Sequence, residues 1–177
     1  MAGLFDTLFG GRKRAGPLAA ALAHYPPNAP AHPGPIKRLT AAQVEENLQR
    51  FLDERDERLA ALASMLGDHG VDVAPVLDPA ADPAPAYAAL SSWLADALPP
   101  RSAMPGGGGT NAPIAAYVAS ERRGADILFS LVADLALLEG EGIVRRRTGW
   151  RWDLDRDPTD AGTYPYRQIG RASCERV

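Results

Sequence analysis

The sequence predicts an α+β fold, with a mainly helical N-terminal three-quarters followed by a short, truncated antiparallel β-sheet or hairpin. Three observations predict it. Val44, Leu48, Phe51, Leu52, Leu59, Leu62 and Leu66 recur at helical intervals, and Ile127, Leu128, Leu131, Val132, Leu135 and Leu138 repeat the pattern. Trp150-Arg151-Trp152-Asp153-Leu154 then alternates strictly between apolar and charged residues, which is the period of a strand. A chain of 177 residues fits a single domain by length, with a real core to bury.

Residues 1–14 form an amphipathic and basic N-terminal segment. Leu4, Phe5, Leu8 and Phe9 share one helical face, Gly10-Gly11 ends the run, and Arg12, Lys13 and Arg14 follow. Such a segment suits weak contact with an anionic membrane surface, or docking of a frayed terminus on a protein. Residues 15–39 form a Pro-rich linker or arm. Closely spaced prolines in Tyr25–Pro35 remove backbone donors and hold extended geometry. The run Ala15–Ala23 ends in a mimic of a signal cleavage site, but Gly16, Pro17 and weak apolarity argue against one, and cleavage of residues 1–23 stays open.

Residues 40–168 make the domain itself. Thr40 and Gln43 form a T-x-x-Q capping box at the start of the first secure helix. Glu45, Glu46, Arg50, Asp53–Arg58 occupy its other positions, a solvated face with local ion pairs such as Glu54 with Arg58. Gly67 or Gly70 stops it. After the Pro- and Asp-rich connection 75–85, a second helix spans Ala86–Leu98, with Tyr87, Leu90, Trp93, Leu94 and Leu98 on its buried side. Residues 99–113 are a mobile Gly/Pro loop. Its four consecutive glycines lack the preceding strand and the Lys-Ser/Thr pair that a phosphate loop requires. The central helix continues to Arg147 despite Gly140 and Gly142, which mark either a break or a close helix contact. Gly149 makes the turn into the Trp-bearing strand, and Thr163–Tyr166 supplies an incoming second strand.

Composition narrows the function. The chain carries 19 basic and 22 acidic side chains, a net charge of −3, which argues against general nucleic-acid binding. No apolar run is long enough to span a membrane as a helix. Asp153, Asp155 and Asp157 start a calcium-loop pattern, but Pro158 and Tyr164 stand where that loop needs Gly and Glu. No metal, cofactor or catalytic constellation emerges: the serines lie outside a nucleophile elbow, and His69 sits between helix-stopping glycines. Arg145, Arg146 and Arg147 with Trp150 and Trp152 form a candidate patch for a partner or an anion, and the arginines also complement a helix C-terminus.

Leu-Glu-Gly-Glu-Gly-Ile-Val within Leu135–Trp152 resembles uncharacterised bacterial helix-then-sheet proteins, some of them immunity-like or accessory interaction proteins. The resemblance covers about the last quarter of the chain and implies a non-enzymatic module for protein–protein interaction in the cytoplasm. Two other readings stand beside it. One is a peripheral inner-membrane adaptor tethered through residues 4–14, and the other an enzyme whose site lies partly in a missing C-terminal region. Ile169–Val177 itself resembles a translated sequencing adapter, so residues 169–177 are expected to be a non-native tail that carries the single cysteine, Cys174.

Overall fold

A computed structural model of the chain describes residues 17–97, 117–157 and 169–173. The element order is α1 (Pro17–Leu22), α2 (Ala41–Gly67), α3 (Ala74–Leu77), α4 (Ala84–Ala97), α5 (Leu128–Arg146), β1 (Trp150–Leu154) and β2 (Ile169–Ser173). The fold is α+β, mainly helical, with a two-stranded antiparallel sheet near the C-terminus.

Local chemistry sets the element ends. The Thr40 hydroxyl accepts the Gln43 N–H at 3.2 Å, and the Gln43 side chain accepts the Thr40 N–H at 2.9 Å, closing the expected capping box on α2. At the other end Gly70 takes φ +76° while the Val71 N–H bonds to the Leu66 carbonyl at 3.0 Å, a left-handed stop that glycine adopts without strain. The Asp-rich connection is built from repeated local turns. Asp72, Asp78 and Asp82 each accept the backbone N–H two residues on, from Ala74, Ala80 and Ala84 at 2.9–3.0 Å. The helix expected to start at Ala86 therefore starts at Ala84.

α2 and α5 cross with Leu62, Leu66, Leu131 and Leu138 almost fully buried between them. Val73 and Val76 close one side, and Leu18, Leu22 and Tyr25 close the other, so α1 and the start of the Pro-rich arm belong to the same core. A smaller cluster of Val44, Leu48 and Leu154 seats the hairpin on α2, with Ile169 packed against it. The β1–β2 register pairs Trp150 with Ser173 and Leu154 with Ile169. β2 thus comes from the segment that resembles adapter translation, whereas Thr163–Tyr166 lies outside the described residues.

Helix α5 runs unbroken through both of its glycines, which resolves them as close contacts. A Cβ on Gly140 would sit 2.5 Å from Trp152 Cζ2 and nearer still to Cη2, and a Cβ on Gly142 would sit 2.9 Å from Val76 Cγ1 and its carbonyl oxygen. The helix tolerates a cost of about 1 kcal/mol per glycine because the indole and α3 press directly on its backbone.

Two expectations need correction. Arg58 does not lie on the solvated face of α2 and does not pair with Glu54. It is buried, and Glu54 pairs instead with Arg50 at 3.0 Å. Position 58 lies seven residues after Phe51 and four before Leu62, so helical geometry turns it inward. Nor are Trp150 and Trp152 presented together as the candidate patch requires: Trp150 is 37% exposed, but Trp152 packs on the main core and meets Phe51 edge-on at a ring separation of 4.9 Å.

Candidate functional site

The buried polar groups converge on Asp134, a carboxylate in the middle of α5 with no solvent exposure. Arg58 grips it from α2 with two N–H groups, Nε to Oδ1 at 3.2 Å and Nη2 to Oδ2. The Tyr25 hydroxyl donates to Oδ2 at 2.7 Å, and the Asn28 side chain donates to Oδ1. Arg58 also donates to the carbonyls of Pro26 and Pro27 at 3.0 and 3.4 Å, which no proline N–H competes for. A buried ion pair needs such extra hydrogen bonds to offset its desolvation. The Pro-rich arm provides them.

Electrostatics follow from this enclosure. Burial acts to lower the Arg58 pKa, but the hydrogen bond and charge of Asp134 outweigh it and hold Arg58 above the ordinary arginine value. Tyr25 is pushed far above the usual tyrosine range, first by burial and then by the charge and hydrogen bond of Asp134.

A second layer fixes the segment before α5. The Asn28 N–H donates to Ser130 Oγ at 2.8 Å, and that hydroxyl donates to the Arg122 carbonyl at 3.0 Å. Arg122, held at φ +56°, donates its N–H to Ser120 Oγ and its Nη1 to the Asn28 carbonyl, both at 2.8 Å. Its guanidinium lies over the Tyr117 ring, 4.4 Å from the centroid. Further along the arm, Asn47 clamps the backbone of His32 with two amide hydrogen bonds, at 2.8 and 3.0 Å, and the His32 ring meets Glu46 at 2.5 Å.

Between this anchored arm, α2 and the hairpin lies a cleft of ≈ 330 Å³. Asn28, Asn47, Arg58 and Arg122 contribute polar atoms to it, while Phe51, Leu137, Trp152 and Leu154 form an apolar wall. The combination of an apolar wall and a few convergent polar groups is that of a binding site.

The residues singled out from the sequence are distributed as follows. Arg146 turns back under α3 and donates to the carbonyls of Val76, Gly142 at 3.0 Å, Pro75 at 2.8 Å and Asp78 at 2.7 Å. Arg145 pairs with Glu141 at 2.9 Å, and Glu141 in turn accepts the Trp152 indole N–H at 2.8 Å. Arg147 and Trp150 are exposed, and Trp152 alone of the five lines the cleft. Leu4, Phe5, Leu8, Phe9, Arg12, Lys13 and Arg14 lie outside the described residues. His69 sits in the turn after α2 and stacks against Trp93, with centroids 5.6 Å apart. Among the Asp153–Asp157 carboxylates, Asp153 is held by Arg151 at 3.1 Å and by Arg156, and Asp155 accepts the Asp157 N–H at 3.0 Å. Among the described residues, no group of three or more His, Cys, Asp or Glu side chains could hold a metal ion, and no helix is long and apolar enough to cross a membrane.

Sequence reasoning missed Arg58, Asp134 and Tyr25. A signal was present: Arg58 and Asp134 both fall on the apolar stripes of their helices, and two opposite charges on two inward faces can meet in the core. No protein-family model matches the chain, and no curated protein or solved structure does so either.

Proposed function

We propose that this protein is a non-enzymatic interaction module of the bacterial cytoplasm, immunity-like or accessory, which offers the outer face of α2 to a basic surface of a partner protein. The distribution of charge along α2 carries the reading. The sequence intersperses arginines among the acids of this helix, but Arg58 withdraws into the core and Arg55 is largely covered, 3.7 Å from Glu141. Asp53, Asp56 and Glu57 remain exposed, with Asp56 within 3.5 Å of Arg55 and 4.0 Å of Arg145, while toward the helix N-terminus Glu45 pairs with Arg156 at 2.8 Å and Glu46 with His32. Among the described residues no cation pairs with Asp53 or Glu57, and these two carboxylates carry the acidic character of the face. The buried carboxylates Asp134 and Glu141 hold the framework beneath it through Arg58, Tyr25, Arg145 and Trp152.

An acidic face of this kind steers a basic partner and mainly accelerates association, with strong salt dependence. The test places a photo-crosslinking residue at Glu57, and in a control at the exposed Ser91 of α4, in the source cells. A partner captured at position 57 but not 91 is expected to bind the purified protein with an association rate that falls about tenfold on Asp53→Lys/Glu57→Lys. Equal capture at both positions, or a rate unchanged by charge reversal, refutes the reading.

A further inference from the structure

The cleft on the other flank of α2 is independent of that surface, since Asp53, Asp56 and Glu57 do not line it. Its charge balance is uneven. Arg50 is matched by Glu54, Arg58 by Asp134 and His32 by Glu46. Arg122 lines the same cleft, yet among the described residues no carboxylate pairs with it. Two guanidinium groups and one carboxylate therefore occupy this part of the interior, leaving one positive charge over.

The hydrogen bonds of Arg122 do not offset its charge. Its Nη1 is committed to the Asn28 carbonyl and its Nε is enclosed without an acceptor, which leaves the charge of the guanidinium uncompensated. Burial of the guanidinium lowers its pKa from the ordinary value, with Tyr117 and Asp134 opposing the shift. The residue is nonetheless rigidly placed, with its backbone tied to Ser120 and Ser130 and its guanidinium laid on Tyr117. A fixed cation with no carboxylate partner among the described residues, lining the same cleft as Phe51, Trp152 and Leu154, matches an anion that carries a hydrocarbon body.

We propose that this cleft binds a small amphipathic carboxylic acid, its carboxylate against Arg122 and its apolar body along Phe51 and Trp152. The same chemistry occurs at the C-terminal residue of a peptide, but a volume of ≈ 330 Å³ suits a free acid better than a chain that must also accommodate its preceding residues.

Titration calorimetry with octanoate, using octanamide as the neutral isostere, tests the proposal on the full chain. Octanoate is expected to saturate one site, with octanamide about tenfold weaker and Arg122→Met about tenfold weaker for octanoate alone. Because Arg122 also supports the fold, a second variant is needed. Ala136 is exposed on α5 and lines the cleft away from the Asp134 network, so Ala136→Phe fills the site while leaving helicity unchanged, and octanoate affinity falls about tenfold. Equal affinity for octanoate and octanamide, undiminished binding by Ala136→Phe, or no saturable heat up to about 5 mM overturns the proposal. A tripeptide with a free C-terminal phenylalanine that binds more tightly than octanoate overturns the assignment to a free acid.

Discussion

Replacing Gly140 by alanine separates helix propensity from tertiary packing within one residue. In an isolated helix the change favours folding by about 1 kcal/mol. Here the new methyl would lie 2.5 Å from Trp152 Cζ2 and 3.2 Å from Cζ3, so the ring must move. The indole is a rigid plate held by its N–H bond to Glu141 at 2.8 Å and by the edge-on contact with Phe51. Moving it gives up a hydrogen bond to a charged group, about 1.5–3 kcal/mol, and an aromatic contact, about 0.5–1.5 kcal/mol. Net destabilisation of about 1–3 kcal/mol is expected, a fall in Tm of about 2–10 °C for a chain of this size. Gly67→Ala is the control, because a Cβ there meets nothing within 4 Å, and it is expected to raise stability by up to about 1 kcal/mol. Denaturant unfolding followed by circular dichroism reads both. In a Trp152→Leu background Gly140→Ala should turn stabilising, since the obstructing ring is gone. If Gly140→Ala is neutral or stabilising in the wild-type background, Trp152 does not rest on that glycine and the reasoning fails.

Arg58→Met strands the Asp134 carboxylate in the core and is expected to cost about 3–5 kcal/mol, while adding Asp134→Leu restores most of it; an equal loss in the double variant would refute the pairing. Tyr25 has a raised folded-state pKa, so its contribution is complete below the unfolded value of 10.0 and declines as pH rises above it. Tyr25→Phe should therefore be less stable near pH 7 but show a shallower alkaline decline, measured by urea unfolding across that range. Deleting Ile169–Val177 removes β2 and uncovers the Leu154 cluster, with an expected loss of about 1–3 kcal/mol; unchanged stability would mean that the strand pairing contributes nothing and would agree with an adapter origin for the segment.

Much of the scaffold is legible in the sequence because it rests on short-range chemistry. The Thr40–Gln43 box, the stop at Gly70 and the alternation of Trp150–Leu154 each involve residues within a few positions, and each has its structural counterpart. The candidate site is not legible in that way. Arg58 looks like one more charge in a charged run, and only its angular position on α2 distinguishes it from Arg55 or Arg50. Asp134 lies 76 residues from Arg58 and 109 from Tyr25, so no local pattern links them. The glycines of α5 show the same limit: their spacing permits a kink or a contact, and what decides is the indole arriving from a strand that begins after the helix ends. The Pro-rich arm looks like a spacer by composition, yet proline carbonyls without competing neighbours are good acceptors for a buried guanidinium, and that role depends wholly on what folds around them.

The link between Tyr25 and Asp134 also orders events at the ribosome. Tyr25 emerges 109 residues ahead of its acceptor, which at ordinary rates of synthesis is about 5–20 s during which its hydroxyl has no partner on α5. α2 can form its capped helix in that interval, but its Arg58 has no counterion until α5 is made. The N-terminal third thus waits for the C-terminal third, and the nascent chain shows chaperones the bare apolar stripe of α2 before α5 arrives to cover it.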